Sequence, residues 1–448
     1  MIVNTDIPRL LKPPPNIDAR WRGKIADWLG TAFGNVFDAV FRLQLTLVEE
    51  ITEIEAAITG IRSHSKALGM EIPLLKANGE LEAVKQAQEK VTALSQQAEQ
   101  LKYLRECILL VGDHIAARSL DPDTIRRFSN FQPPGFLSGK NGLKREIEAA
   151  RQFFDQGYMV ILNDLTHSLR VGDLTLKKGS EVRTVEIKSN IQGYRSKEAM
   201  RQTIIPSVVH NYIRSDVITR PHRISGEPDV VKFGVRLDSD VKENWNCAIA
   251  GQVHKGLQKA DVAHLIVGRK QYLAARRKDL AKMGLALSAL TSEGDWVVSN
   301  VQRRVVEYAE VSPFTQWFKL DSAIDIMTGD LVVLSAFKMA DLELLFAAKG
   351  LKLVWKRKMT DLFPIRLEGE QVSAGAFQHK TENMGDHHRL KVMYAFLAVE
   401  SYVDIIAFLL SPEAAEQART KLARFLPEPK STNEESPPED VSDSGNST

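Results

Sequence analysis

The chain has 448 residues, 44% apolar and 26% charged, a balance that excludes wholesale disorder and leaves room for two to four folding units. Lys and Arg number 59 against 57 Asp and Glu, a formal charge of +2, so any nucleic-acid affinity must come from a local patch. Cys107 and Cys247 stand far apart, which excludes a disulfide framework or a cysteine-based zinc module and fits a reducing, cytoplasmic setting.

From the N-terminus, Met1 to Asp6 shows no basic region ahead of an apolar core, so no signal peptide is expected. Val40, Leu43, Leu47, Ile51, Ile54, Ile58 and Ile61 recur at helical spacing close to a heptad. Gly69, Pro73 and Gly79 are expected to break that stripe. A second stripe runs through Val84, Ala87, Val91, Leu94, Ala98, Leu101, Leu104, Ile108 and Val111. Together they predict an antiparallel helical hairpin, a coiled-coil arm over residues 1–127. Asp38 and Arg42 interrupt the apolar stretch 28–48, and Glu400 and Asp404 interrupt Met393 to Leu410. Each such charge is costly at a bilayer centre, so no membrane partner is expected.

Residues 128–142 are rich in Pro, Gly and Ser and read as a linker. A mixed α/β segment follows over 143–365. It has a helix at about 143–156, a strand after Gly157, a hairpin at about 170–188, a helix at about 195–215 and strands at Val262–Val267, Trp296–Val301 and Leu331–Leu334. Residues 366–426 read as a C-terminal helical region. Residues 427–448, with six acidic residues against Lys430, read as a disordered acidic tail.

The chemistry concentrates in the hairpin. Leu174 and Leu176 alternate with Asp173 and Thr175, and Val185 and Ile187 alternate with Thr184, Glu186 and Lys188, around Lys177-Lys178-Gly179-Ser180. A two-residue turn at Gly179-Ser180 pairs Asp173 with Glu186. A turn centred one residue earlier sets Asp173 against Thr184 with Glu186 diagonal. In both registers Asp173, Glu186 and Lys188 share a polar face. Carboxylates facing each other across strands repel unless a counter-ion intervenes, and a hard divalent cation with oxygen ligands meets that need. A neighbouring ammonium then suits phosphodiester hydrolysis, in which a metal polarises the phosphoryl oxygen and acidifies a water.

Asp173, a turn, then Glu186-Ile187-Lys188 resembles the bipartite signature of the restriction-endonuclease-like PD-(D/E)xK nuclease superfamily. The preceding helix with Glu146, leading through Gly157-Tyr158 into a strand, matches the same pattern. The resemblance covers about residues 140–215. It implies an αβββαβ core, a magnesium ion (manganese as substitute) held by Asp173, Glu186 and Glu146, Lys188 acting on the attacking water, and Gln202 on the following helix as a supporting polar residue. The family's Pro before the first Asp is replaced by Gly172. Glu148, two positions from Glu146, is a fallback ligand only. Asp164 is an alternative acidic ligand that reads first as a turn or strand-end residue.

Over Leu137–Ile224, 15 Lys and Arg stand against nine Asp and Glu. Lys177, Lys178, Arg183, Arg195, Lys197 and Arg201 are the candidate phosphate contacts, giving affinity without sequence information. The histidines around His379 and His387 read as a polar loop, not a zinc site. The expectation is therefore a metal-dependent nuclease acting on DNA ahead of RNA, in defence or repair. A homodimer or a helical partner would engage through the arm. The rival is a non-catalytic helical scaffold or adaptor whose α/β domain binds nucleic acid.

Overall fold

The computed structural model describes residues 11–12, 14–121, 124–125, 128, 135–140, 142–187, 217–221, 228–233, 251–267, 269–300, 318–355, 365–368 and 403. Over these the chain is mixed α/β, with helices at the N-terminal end and small antiparallel sheets.

Helix α1 (Ala19–Gly34) starts where the Asp18 side chain accepts the Trp21 amide hydrogen. Helices α2 (Phe37–Ala77) and α3 (Leu81–Ser119) form the long hairpin. Val40, Leu43, Leu47, Ile51, Ile54 and Ile58 are buried along α2, as the stripe requires. The break differs from the expected one. Gly69 and Pro73 lie inside α2, and the turn is Asn78-Gly79-Glu80, with Gly79 at φ +78°. Pro73 removes one helical hydrogen bond, but on an exposed stretch where the carbonyl it frees is open to water.

At ~1.5 Å per residue α2 is about 60 Å long, and its two ends sit in different surroundings. The distal half of the hairpin is largely exposed, with Met70, Leu74 and Leu81 open at the tip. The base is deeply buried. One hydrophobic cluster holds Ile25 and Leu29 of α1, Leu47 and Ile51 of α2, and Ile108 and Val111 of α3. It continues through Ala150, Val160, Leu174 and Val333 of the α/β segment. The helical base and the α/β segment thus share a core across the 128–142 joint.

Helix α4 (Leu143–Asp155), strand β1 (Met159–Leu162), a 3-10 turn (Asn163–Leu165), β2 (Leu174–Lys178) and β3 (Glu181–Val185) follow in the expected order. They make an antiparallel meander β1-β2-β3. Lys178 pairs with Glu181 and Leu174 with Val185, so the turn is Gly179-Ser180. The polar face is not open to water along β2. Leu174 and Leu176 are fully buried on one side, and Thr175 is equally buried on the other. There Ile161 and Val171 pack with Phe128 and Leu120 in a second small core.

Strands β4 (Val217–Pro221) and β5 (Pro228–Phe233) pair as a ribbon. A four-stranded antiparallel sheet follows in the order β6-β7-β9-β8, with β6 Val262–Val267, β7 Lys270–Arg276, β8 Trp296–Asn300 and β9 Leu331–Lys338. Helices α5 (Leu280–Leu290), α6 (Leu320–Thr328) and α7 (Met339–Ala347) accompany it. Strands β10 (Lys352–Trp355) and β11 (Ile365–Glu368) form a last ribbon, so the first residues of the 366–426 region are strand. The acidic tail and the expected helix at about 195–215 lie outside the described residues. Among the described residues no helix is long and apolar enough to cross a membrane.

Candidate metal centre

Three carboxylates reach one point from three separate elements. Glu146 stands in the first turn of α4, Asp164 in the 3-10 turn that ends β1, and Asp173 immediately before β2. One oxygen from each lies within 4.8 Å of the others. The ammonium of Lys140 sits among them, donating to Glu146 Oε2 at 2.9 Å, Asp164 Oδ2 at 2.6 Å and Asp173 Oδ1 at 3.1 Å.

The backbone explains why these groups meet. Gly172 has φ +72°, and a Cβ there would stand 2.9 Å from the Val185 carbonyl oxygen. Proline, locked near φ −65°, cannot take that conformation. Beyond Gly172 the ladder between β2 and β3 ends. The Asp173 amide donates to Val185 O at 2.9 Å, and Asp173 Oδ2 accepts the Ile187 amide hydrogen at 2.6 Å. One Asp173 oxygen is thereby fixed on the backbone and the other turns to Lys140. Asn163 joins the two acidic segments. Its amide N–H donates to Asp173 O at 3.0 Å, its side chain donates to Val171 O at 2.7 Å, and its Oδ1 accepts from Thr175 Oγ1 at 2.8 Å.

Charge is unbalanced here. Burial, with the neighbouring charges of Asp173 and Asp164, pushes the Glu146 carboxyl up to about 7 against the opposing hydrogen bond from Lys140. Burial disfavours the Lys140 ammonium, but Asp164, Asp173 and Glu146 outweigh it and raise its pKa, so it stays charged. Glu146 is nearly enclosed at 5% exposure, whereas Lys140 at 30% stands at the mouth.

The site residues expected from sequence divide as follows. Glu146 and Asp173 are brought together. Glu186 is half-buried just past β3, and the converging group is Glu146, Asp164 and Asp173 without it. Lys188, Gln202, Arg195, Lys197 and Arg201 lie outside the described residues. Lys177 donates to Ser119 O at 2.6 Å. Lys178 donates to Gln156 O at 3.0 Å and lies 4.9 Å from the Tyr158 ring centre. Arg183 packs over Tyr158 and Phe153. Lys178 is five strand positions from Asp173, so this basic end of the ribbon is about 17 Å from the carboxylates.

Of the other two members, Asp164 was the alternative acidic ligand of the sequence reading, and Lys140 was not singled out. Asp164 does occupy a strand-end turn, as its sequence context suggests, and that turn aims it at Glu146. Lys140 lies in the joint Ser138-Gly139-Lys140, where glycine-rich composition signals a linker and nothing local marks a site residue. The oxygen-only donor set suits a hard divalent cation, and the Lys140 ammonium marks where a positive charge is already accommodated. No protein-family model, curated protein or solved structure matches this chain.

Proposed function

We propose that the chain is a divalent-cation-dependent phosphodiesterase acting on nucleic acid, DNA ahead of RNA, built on a restriction-endonuclease-like αβββ framework. The observation that carries this reading is the convergence of Glu146, Asp164 and Asp173 at the end of the β1-β2-β3 meander, the end where the Asp173…Glu186-Ile187-Lys188 signature falls. Magnesium, or manganese in its place, would be held by Glu146, Asp164 and Asp173, with Glu186 as a further oxygen donor.

When bound, such a cation polarises the phosphoryl oxygen and acidifies a water molecule. The chain's own residues do the rest. Asp173 presents one oxygen to the site because Ile187 N–H holds the other. Glu146 binds cation or proton in competition around neutrality. Lys140, at the mouth, offsets negative charge on an approaching phosphodiester. In this reading Lys188 orients the attacking water and Gln202 supports it.

Supercoiled plasmid, single-stranded DNA and RNA incubated with Mg2+ test this directly. The wild type is expected to cleave at least one of them, and Asp173→Ala and Glu146→Gln are expected to lower the rate by 100-fold or more. Equal turnover by all three proteins removes the assignment. It would favour the scaffold reading, which the exposed hairpin tip at Met70, Leu74 and Leu81 supports independently.

A further inference from the structure

We propose that helix α3 of the hairpin positions the cation-binding carboxylate Asp164, with Asp113 as the positioning residue. This rests on the metal-centre reading above and extends it to residues outside the nuclease-like segment.

Asp164 lies in a short turn between two anchored stretches. On one side Gln44, buried in α2, grips β1 at both edges of one peptide pair. Its Nε2 donates to Val160 O and its Oε1 accepts from Leu162 N, each at 2.9 Å. On the other side α3 holds the chain from Leu165 to Ser168. Gly112 lets the helix touch this stretch directly, since a Cβ built there would fall 1.7 Å from the Leu165 carbonyl oxygen. One residue on, the Asp113 carboxylate accepts from His167 N and Ser168 N, both at 2.9 Å, and from Ser168 Oγ at 2.6 Å. Its second oxygen meets His167 Nδ1 at 2.7 Å, and Glu106, two helical turns earlier on the same face, meets His167 Nε2 at 2.6 Å.

The geometry gives this anchoring a job. Asp164 lies beside two other carboxylates in a turn of three residues, with the Lys140 ammonium bridging the three and 2.6 Å from Asp164. A cation that takes over the ammonium's role must find the three oxygens already converged, so the turn that carries Asp164 has to be fixed from outside the cluster. Four contacts from His167 and Ser168, two and three residues past the turn, to the single buried carboxylate of Asp113 supply that restraint. Outer partners that orient metal ligands typically change metal affinity by 10–100-fold when removed.

The test is Mn2+ binding to the full-length chain, followed by calorimetry and by electron paramagnetic resonance, with thermal melts alongside. Asp113→Ala is expected to weaken Mn2+ binding at least tenfold. Asp325→Asn, which disturbs a salt bridge elsewhere, serves as the control for lost stability and is expected to bind as wild type does. Ser168→Ala and His167→Gln each remove part of the clamp and are expected to give smaller, graded losses. These keep the proposal open to refutation if Asp113→Ala does not fold. A clamp that lowers the melting temperature yet leaves Mn2+ affinity unchanged overturns the inference while leaving the metal centre standing. A wild type that binds no Mn2+ overturns the metal-centre reading, and this inference with it.

Discussion

Two charged clusters within the same fold are built on opposite accounting of charge. In one, Arg22 of α1 reaches Asp325 of α6 at 2.6 Å and also pairs with Asp330, while Arg276 at the end of β7 pairs with Asp325. Two guanidiniums meet two carboxylates, and the cluster fastens α1 to the α6-β9 corner. In the other, among the described residues, one ammonium meets three carboxylates. A balanced network needs no explanation beyond holding elements together. An unbalanced, largely buried one costs stability, and such a cost persists where the surplus charge has a ligand to meet.

The largest expected effect comes from detaching the unbalanced cluster from its helical support. Gly112→Ala places a methyl group against the Leu165 backbone, and α3 and the Asp164 turn cannot both stay in place. A loss of about 3 kcal/mol in chemical denaturation is expected, well above ordinary surface substitutions. Asp325→Asn is expected to cost about 2 kcal/mol, because it strips a buried carboxylate from two guanidiniums that are themselves half-exposed.

Glu146→Gln sharpens the contrast by reversing the sign. Removing one of three crowded carboxylates is expected to raise stability by about 1 kcal/mol above neutral pH while abolishing Mn2+ binding. The pH profile carries the same information. Burial chiefly, and then its acidic neighbours, raise the folded-state pKa of Glu146 from 4.5 to about 7, so the folded chain holds this proton more tightly than the unfolded one. Stability from this group is present below pH 4.5 and is lost as pH rises to about 7. Melts across that window should show a downward slope in the wild type that Glu146→Gln lacks.

The smallest effect concerns His167. Burial disfavours its charge, but Asp113 and Glu106 on either side raise its pKa to about 9. Its contribution to stability is therefore whole below pH 6.5 and fades as pH climbs through 9. His167→Gln should flatten the melting profile in that range, and an unchanged slope would place the titration elsewhere.

Much of the local structure was legible in the residues themselves. The apolar spacing of Val40 to Ile58 and the alternation around Gly179-Ser180 report on contacts within a few positions, where helical and strand periods act. Pro73 misled for the converse reason, since its cost depends on whether water reaches the carbonyl it frees. Glu146 and Asp173 were readable from order along the chain. Asp164 was readable only as an alternative ligand, and Lys140 not at all, because neither stands in a pattern with its sequence neighbours.

The sequence alone determined the two long helices and the α4-β1-β2-β3 order, since each follows from short-range periodicity and turn chemistry. It left two registers of the ribbon open until the pairing of Lys178 with Glu181 decided between them. Only the tertiary structure decided that the hairpin base shares a core with the α/β segment, that Lys140 and Asp164 join Glu146 and Asp173, and that α3 fastens the turn bearing Asp164. Those outcomes depend on close approaches such as Gly112 against Leu165, between residues far apart in the chain, and pairwise packing of that kind leaves no periodic trace in one sequence.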